Sequence, residues 1–169
     1  MSQKSGFEIE RKFLIAMPTA ELLLAQNGTV VWKIEQTYLK NGGRVRKIVC
    51  DNKDTYIKTV KQRITDVKRI EKEWEITKEQ YENELLGKAD DRVTIEKTRY
   101  RIPFKGQILE VDIFPFYTDR AFLEIELEKE DSAFVIPEFI NVIKEITADR
   151  RYRNSALAKQ IVYEDLSNE

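Results

Sequence analysis

Residues 69–76 read Arg-Ile-Glu-Lys-Glu-Trp-Glu-Ile, and residues 123–128 read Leu-Glu-Ile-Glu-Leu-Glu. Successive residues of a β-strand point to opposite faces. In the first stretch Glu71, Glu73 and Glu75 share one face, and Ile70, Trp74 and Ile76 share the other. In the second, Glu124, Glu126 and Glu128 oppose Leu123, Ile125 and Leu127. The same parity recurs outward along the chain. Glu8, Glu10 and Lys12 oppose Phe7, Ile9 and Phe13, and Arg44 and Arg46 oppose Val45 and Val49. Lys97, Arg99 and Arg101 oppose Thr98, Tyr100 and Ile102, and Glu110 and Asp112 oppose Leu109, Val111 and Ile113. Eight such segments are expected, near 7–15, 31–39, 43–49, 54–61, 69–76, 92–102, 107–114 and 121–129. The second and fourth are less regular, although Lys61 ends the fourth. Asn41-Gly42-Gly43 and Lys105-Gly106 separate neighbouring strands as hairpin turns.

A sheet with one face in water normally mixes Thr, Ser, Gln and Asn with its charges. These faces are almost purely Glu, Asp, Lys and Arg, and each strand tends to one sign. Closing the eight strands into an antiparallel barrel with the charged faces inward accounts for this better. The apolar outer faces then meet helices. Those helices are expected over Pro18–Gln26, Thr77–Leu86, Pro137–Ile143 and Ser155–Tyr163. Thr77 and Gln80 have capping-box spacing, and Gly87 follows as a stop signal. Trp32 and Trp74 are assigned to the outer core, and Lys58 to the surface. A lumen this charged is costly unless its groups are paired, hydrated or bound to ligand. Lys and Arg grip polyanions, and oxygen-only carboxylate sites favour magnesium or manganese. The lumen therefore asks for a polyphosphate and a divalent metal.

Composition narrows the chemistry further. The 169 residues include 29 Lys+Arg and 30 Asp+Glu, so the charge of −1 argues against a general nucleic-acid binder. The short Arg150-Arg151-Tyr152-Arg153 run is read as helix-junction charge or a tunnel-mouth contact. There is no histidine, which removes Ser-His-Asp sites, His-ligated zinc and a histidine base. The single cysteine, Cys50, forms no internal disulfide and reads as a small buried hydrophobe. It fits a reducing, cytoplasmic setting. No run reaches the roughly 18 apolar residues of a membrane helix.

The order of these charged strands resembles the CYTH, or triphosphate tunnel metalloenzyme, superfamily. Glu8-Ile9-Glu10-Arg11-Lys12 matches its ExExK signature. Arg44-Val45-Arg46, Thr59-Val60-Lys61, Arg69–Ile76, Lys97-Thr98-Arg99, Glu110-Val111-Asp112 and Glu124-Ile125-Glu126 follow in family order, and residues 149–158 resemble the segment before a closing helix. The resemblance spans residues 7 to about 160. It implies one CYTH domain over 1–169, mainly β with some α, whose C-terminal helical segment covers about 137–163. It also implies a metal-dependent triphosphatase, with inorganic triphosphate as the expected substrate. Glu8, Glu10, Glu124 and Glu126 then correspond to metal carboxylates, and Lys12, Arg44, Arg46, Lys61, Lys97 and Arg99 to phosphate grips. Glu71, Glu73 and Asp112 complete the acidic lining as the catalytic set, holding a second metal or orienting water. A class IV-type adenylate cyclase, a thiamine triphosphatase and a non-catalytic polyphosphate-binding module are the alternatives the resemblance leaves. Nucleic acid and membrane are not expected partners, and a homodimer is left open.

Overall fold

Tight turns with left-handed residues set the strand pairing. Gly42 and Gly43 turn β2 (Val30–Tyr38) into β3 (Arg44–Cys50) at φ +86° and +79°. A Cβ on Gly43 would lie 2.8 Å from the Thr59 carbonyl oxygen, so no other residue fits there. Asp51 and Asn52, both at positive φ, turn β3 into β4 (Lys53–Arg63), as the two-residue hairpin requires. Lys105 and Gly106 do the same between β6 (Ile95–Phe104) and β7 (Gln107–Ile113), as expected from the sequence. The computed structural model describes residues 3–167; the ends of the domain expected over 1–169 lie outside the described residues.

The remaining strands are β1 (Gln3–Ala16), β5 (Lys68–Ile76), β8 (Arg120–Glu126) and β9 (Val142–Glu145). The antiparallel order is β5-β4-β3-β2-β6-β7-β8-β1-β9, and a further β5–β1 pairing closes the eight-stranded barrel. The long β1 makes that closure. Its first half, Gln3–Ile9, pairs with β5, and its second half, Glu10–Ala16, pairs with β8.

Three apolar clusters pack the barrel, two on its outside and one closing an end of its lumen. One joins Ile9, Phe13, Leu109, Val111, Leu123 and Ile125 to Leu23 of α1 (Ala20–Leu24) and to Ile140. A second gathers Leu14, Phe114, Phe122, Tyr152 and Leu157 at the C-terminal segment. The third seats Tyr81 of α2 (Lys78–Leu85) on Val45, Tyr56 and Ile76. The capping box at α2 is present: the Gln80 amide donates to Thr77 Oγ1 at 3.1 Å, and the Thr77 amide donates to Gln80 Oε1 at 2.8 Å. No described helix is long and apolar enough to cross a membrane. Cys50 is only partly buried, contrary to the sequence reading, because it closes β3 beside the exposed Asp51-Asn52 turn.

The expected helical segment over about 137–163 is mostly something else. Where β5 leaves β1, the backbone of Phe13–Ile15 has an open edge, and β9 fills it. An unpaired buried edge is costly, so pairing there overrides local helix preference. Beyond it lie a 3-10 turn, Arg150–Tyr152, and the one-turn helix α3, Asn154–Leu157. The chain beyond it is non-helical and is tied down by side chains: Tyr117 Oη donates to the Val162 oxygen at 2.7 Å and Arg120 to the Glu164 oxygen at 2.8 Å.

Candidate active site in the barrel lumen

The inward faces enclose a cavity of about 500 Å³. Twelve of the thirteen residues expected in the site line it, from all the strands except β2, β7 and β9; Asp112 does not. The register explains the convergence. Lys12 lies opposite Glu124 and Glu10 opposite Glu126; Glu8 faces Arg69, Lys61 faces Glu71, and Thr59 faces Glu73. Alternation sends each of these side chains inward.

Most lumen charges are cross-linked. Lys61 Nζ reaches Glu8 at 2.8 Å and Glu71 at 3.4 Å. Arg69 Nε donates to Glu8 at 2.6 Å, and its Nη2 pairs with Glu10. Arg46 Nη2 and Thr59 Oγ1 both donate to Glu73 Oε2, at 2.9 and 3.0 Å. Arg99 donates to Glu110 and Glu124 at 3.1 and 3.2 Å. Lys12 Nζ donates to the Tyr152 carbonyl at 2.9 Å and lies 3.5 Å from Glu124.

Arg44 is the exception. Among the described residues it makes no ion pair, and its buried Nε has no hydrogen-bond partner. Its charge instead presses on its neighbours. Burial first, then Arg44, lowers the Arg46 guanidinium to about 10, and the same two causes lower Lys61. An anion entering here would meet a cation with no competing carboxylate bond.

Asp112 lies beneath the lumen. It is 0% exposed, accepting from Lys97 Nζ at 2.7 Å and from Arg99 Nε and Nη2 at 2.7 and 2.8 Å. Burial would raise its carboxyl, but Arg99 and Lys97 hold it far below the usual range. Lys97 is lowered to about 8, because burial and the neighbouring Arg99 outweigh Asp112. A carboxylate sealed in this way touches nothing in the cavity, so it orients two cations rather than water.

The acidic side divides electrostatically. Burial opposes ionisation of Glu8, but Lys61 and Arg69 prevail and hold it well below its ordinary value. Burial and hydrogen bonds with Glu8 and Glu73 push Glu71 up to about 8. Burial and the charge of Glu124 raise Glu10 despite Arg69. Glu126 lines the cavity and is exposed. The Glu10, Glu124 and Glu126 set is oxygen-only, and its crowding at Glu10 is what a cation would relieve, so the donor chemistry fits a hard divalent ion. Among the described residues no three such groups converge to ligating distance. Arg69 and Arg99 draw Glu10 and Glu124 to themselves instead.

Residues beyond the thirteen expected in the site also line the cavity. Arg69 shares a face with Glu71 and Glu73, so its parity carried the signal. Arg153 also lines the mouth and reaches Asp66 at 3.4 Å, a tunnel-mouth contact. Trp32 lines the cavity and does not belong to the outer core, with the Arg101 guanidinium 4.4 Å from its ring centre. Lys58 keeps to the outside, on Glu84 of α2 and beside Trp74.

No protein-family model matches the chain. It is 36% identical over 155 residues to an inorganic triphosphatase of Acetivibrio thermocellus, covering 91% of this chain and 94% of that protein. It is 34% identical over 161 residues to an inorganic triphosphatase of Nitrosomonas europaea, covering 91% and 98%. Its fold is similar to the crystal structure of an inorganic triphosphatase at a TM-score of 0.56, with 28% identity over 92% of this chain and 97% of that one.

Proposed function

The chain belongs to the inorganic triphosphatases of the CYTH, or triphosphate tunnel metalloenzyme, superfamily, and we propose that it hydrolyses inorganic triphosphate to pyrophosphate and phosphate in its lumen with magnesium or manganese. The observation that carries the reading is Arg44, a lumen cation beside Arg46 and Lys61 whose buried Nε has no hydrogen-bond partner and which makes no ion pair among the described residues. A polyanion supplies the missing acceptor.

Phosphoryl transfer needs charge neutralised on the phosphate oxygens and a nucleophile in line. Lys12, Arg44, Arg46, Lys61, Lys97 and Arg99 bind the phosphates, the arginines in bidentate fashion. Glu8, Glu10, Glu124 and Glu126 are the candidates for holding the metal, which when bound supplies Lewis-acid charge neutralisation. Glu71 and Glu73 orient the attacking water. In its ionised form, which prevails above about pH 8, Glu71 takes up the proton that water gives. The bond from the attacked phosphorus to its bridging oxygen breaks, and the cationic wall stabilises the departing pyrophosphate. Asp112 acts through Arg99 and Lys97 and leaves the catalytic set.

The test is phosphate release from inorganic triphosphate, ATP and thiamine triphosphate, each with magnesium, with manganese and with chelator. Metal-dependent release from inorganic triphosphate in clear excess supports the reading. Cyclic AMP and pyrophosphate from ATP would move the protein to the cyclase chemistry of the same tunnel. No turnover of any of the three would leave a binding module.

A further inference from the structure

Lys12 is gripped along its length by the C-terminal segment. Its amide donates to Thr147 Oγ1 at 2.9 Å, and its carbonyl accepts from the Ile146 amide at 2.8 Å. Its Nζ donates to the Tyr152 carbonyl at 2.9 Å and lies 4.6 Å from the centre of the Phe122 ring. Tyr152 is 0% exposed, and its own ring meets Phe122 edge-on at 5.6 Å. The position of that carbonyl is therefore a matter of where Tyr152 is held.

The hydroxyl end of Tyr152 meets one acidic residue and also the Arg120 guanidinium. Its hydroxyl donates to the Glu164 carboxylate. Glu164 is fixed in turn by Lys144 Nζ at 2.8 Å and by Arg151 at 3.4 Å, and its carbonyl accepts from Arg120 at 2.8 Å. Arg120 is buried and anchored on Asp119. The strand that reaches over this end of the barrel thus ends in a clasp, and one line of contacts runs from Glu164 through Tyr152 to Lys12. Lys12, Ile146, Thr147 and Tyr152 line the cavity, whereas Glu164, Lys144, Arg120 and Asp119 do not.

We propose that Glu164 and Tyr152 are positioning residues for triphosphate binding: the Glu164 clasp fixes Tyr152, and the Tyr152 carbonyl aims the Lys12 ammonium into the lumen. The inference rests on the reading that Lys12 grips phosphate. It accounts for why Lys12 spends one donor on a backbone carbonyl as well as facing Glu124. A lysine's four-carbon stem is flexible, and an ammonium docked on a fixed carbonyl keeps its other two donors pointed one way.

The experiment measures kcat and KM for inorganic triphosphate, with saturating magnesium, in five variants beside the wild type. These are Glu164→Ala, Glu164→Gln, Tyr152→Phe, Lys12→Met and the double variant Lys12→Met with Glu164→Ala. Glu164→Ala and Tyr152→Phe should raise KM about tenfold while kcat changes less than about twofold. Glu164→Gln, whose amide oxygen still accepts from the tyrosine hydroxyl, should restore most of the affinity. In the Lys12→Met background, Glu164→Ala should change KM by less than about twofold, because the contact it supports is already gone. A tenfold rise in that background overturns the proposal, since the clasp would then act by another route. A loss of melting temperature with KM unchanged overturns it in favour of a purely structural clasp. If Lys12→Met itself leaves KM unchanged while the wild type is active, the proposal falls with the assignment of Lys12, and the triphosphatase reading survives.

Discussion

Arg44 and Arg99 project into the same lumen from β3 and β6, yet their surroundings are opposite. Arg99 donates to Asp112, Glu110 and Glu124, and although burial works against its charge, these carboxylates raise it well above its ordinary value. Arg44 has no carboxylate within ion-pair distance among the described residues, and it sits against Arg46 and Lys61. The first is a cation already fixed in place by the protein; the second feels Glu73 only at longer range, so its direct partner must come from outside. A site that binds a polyanion uses both. Fixed cations define geometry at no ordering cost when substrate arrives, and the uncompensated one supplies affinity.

The sharpest way to break this contrast is to remove the anchor on the fixed side. Asp112→Ala leaves Lys97 and Arg99 buried with their principal counter-charge gone. Breaking a buried, hydrogen-bonded charge pair by deleting one partner costs about 3–5 kcal/mol. For a chain of this size that lowers Tm by about 10 °C. A change under about 2 °C in thermal unfolding would mean that Glu110 and Glu124 hold Arg99 unaided.

On the uncompensated side the expectation inverts. Arg44→Ala removes repulsion and breaks no ion pair, so stability stays within about 0.5 kcal/mol of the wild type. Affinity suffers instead. Losing charge-assisted bonds to phosphate weakens binding by about 10- to 100-fold, and the rise in Tm on adding triphosphate shrinks accordingly. Titration of Tm with inorganic triphosphate in the presence of chelator reads both quantities. A destabilised variant that still binds normally would place Arg44 in the structural class with Arg99.

The two arginines look alike in the sequence, and the reason reaches beyond them. Parity identifies which face a side chain takes, and here it made the barrel and nearly all the lining legible. Depth is another matter. Glu110 and Asp112 have the same parity, yet Asp112 lies opposite Phe122 on β8, where aromatic rings close the lumen, and Glu110 lies opposite Glu124. Only pairing across strands distinguishes them. Trp32 escapes parity for a related reason: the inward face of β2 carries Gln36 and Tyr38 and no cation or carboxylate, so no charge pattern marks it. Arg69 is legible, since it precedes two glutamates of its own parity. The strand β9 was not legible at all. It forms because β1 changes partners along its length, a long-range event with no local signature.

The acidic wall offers a smaller effect, with a sign that parity cannot give. Glu71 is pushed up to about 8 from an ordinary value of 4.5, by burial first and by its bonds with Glu8 and Glu73. Between those two values the folded protein holds a proton that the unfolded chain has released. Stability from this group therefore falls as pH rises from about 4.5 to about 8, and is level above that. Lys97, lowered to about 8, contributes the opposite slope at higher pH. Glu71→Gln removes the first slope and leaves the second. The variant should gain on the wild type by roughly 1 kcal/mol between pH 5 and pH 8, since Glu71 is only partly buried. Thermal melts across that range, with chelator, give the difference curve. A flat difference would show that Glu8 or Glu73 carries the shared proton.

The least expected effect lies at the neutral wall. Arg101 stacks on Trp32 and donates to Glu110 at 3.2 Å, and Glu110 also accepts from Arg99. Arg101 is thus tied to the fixed cation through one shared carboxylate, while Trp32 gives it a face to rest on. Trp32→Leu removes a cation–π contact worth about 0.5–1 kcal/mol at a site this open. It leaves the Arg101–Glu110 pair intact, so KM for inorganic triphosphate should move by less than about threefold. Glu110→Gln should do more than Trp32→Leu, because it loosens Arg99 and Arg101 together. If Trp32→Leu proves the more damaging of the two, the ring itself touches substrate, and the neutral wall joins the binding surface rather than bracing it.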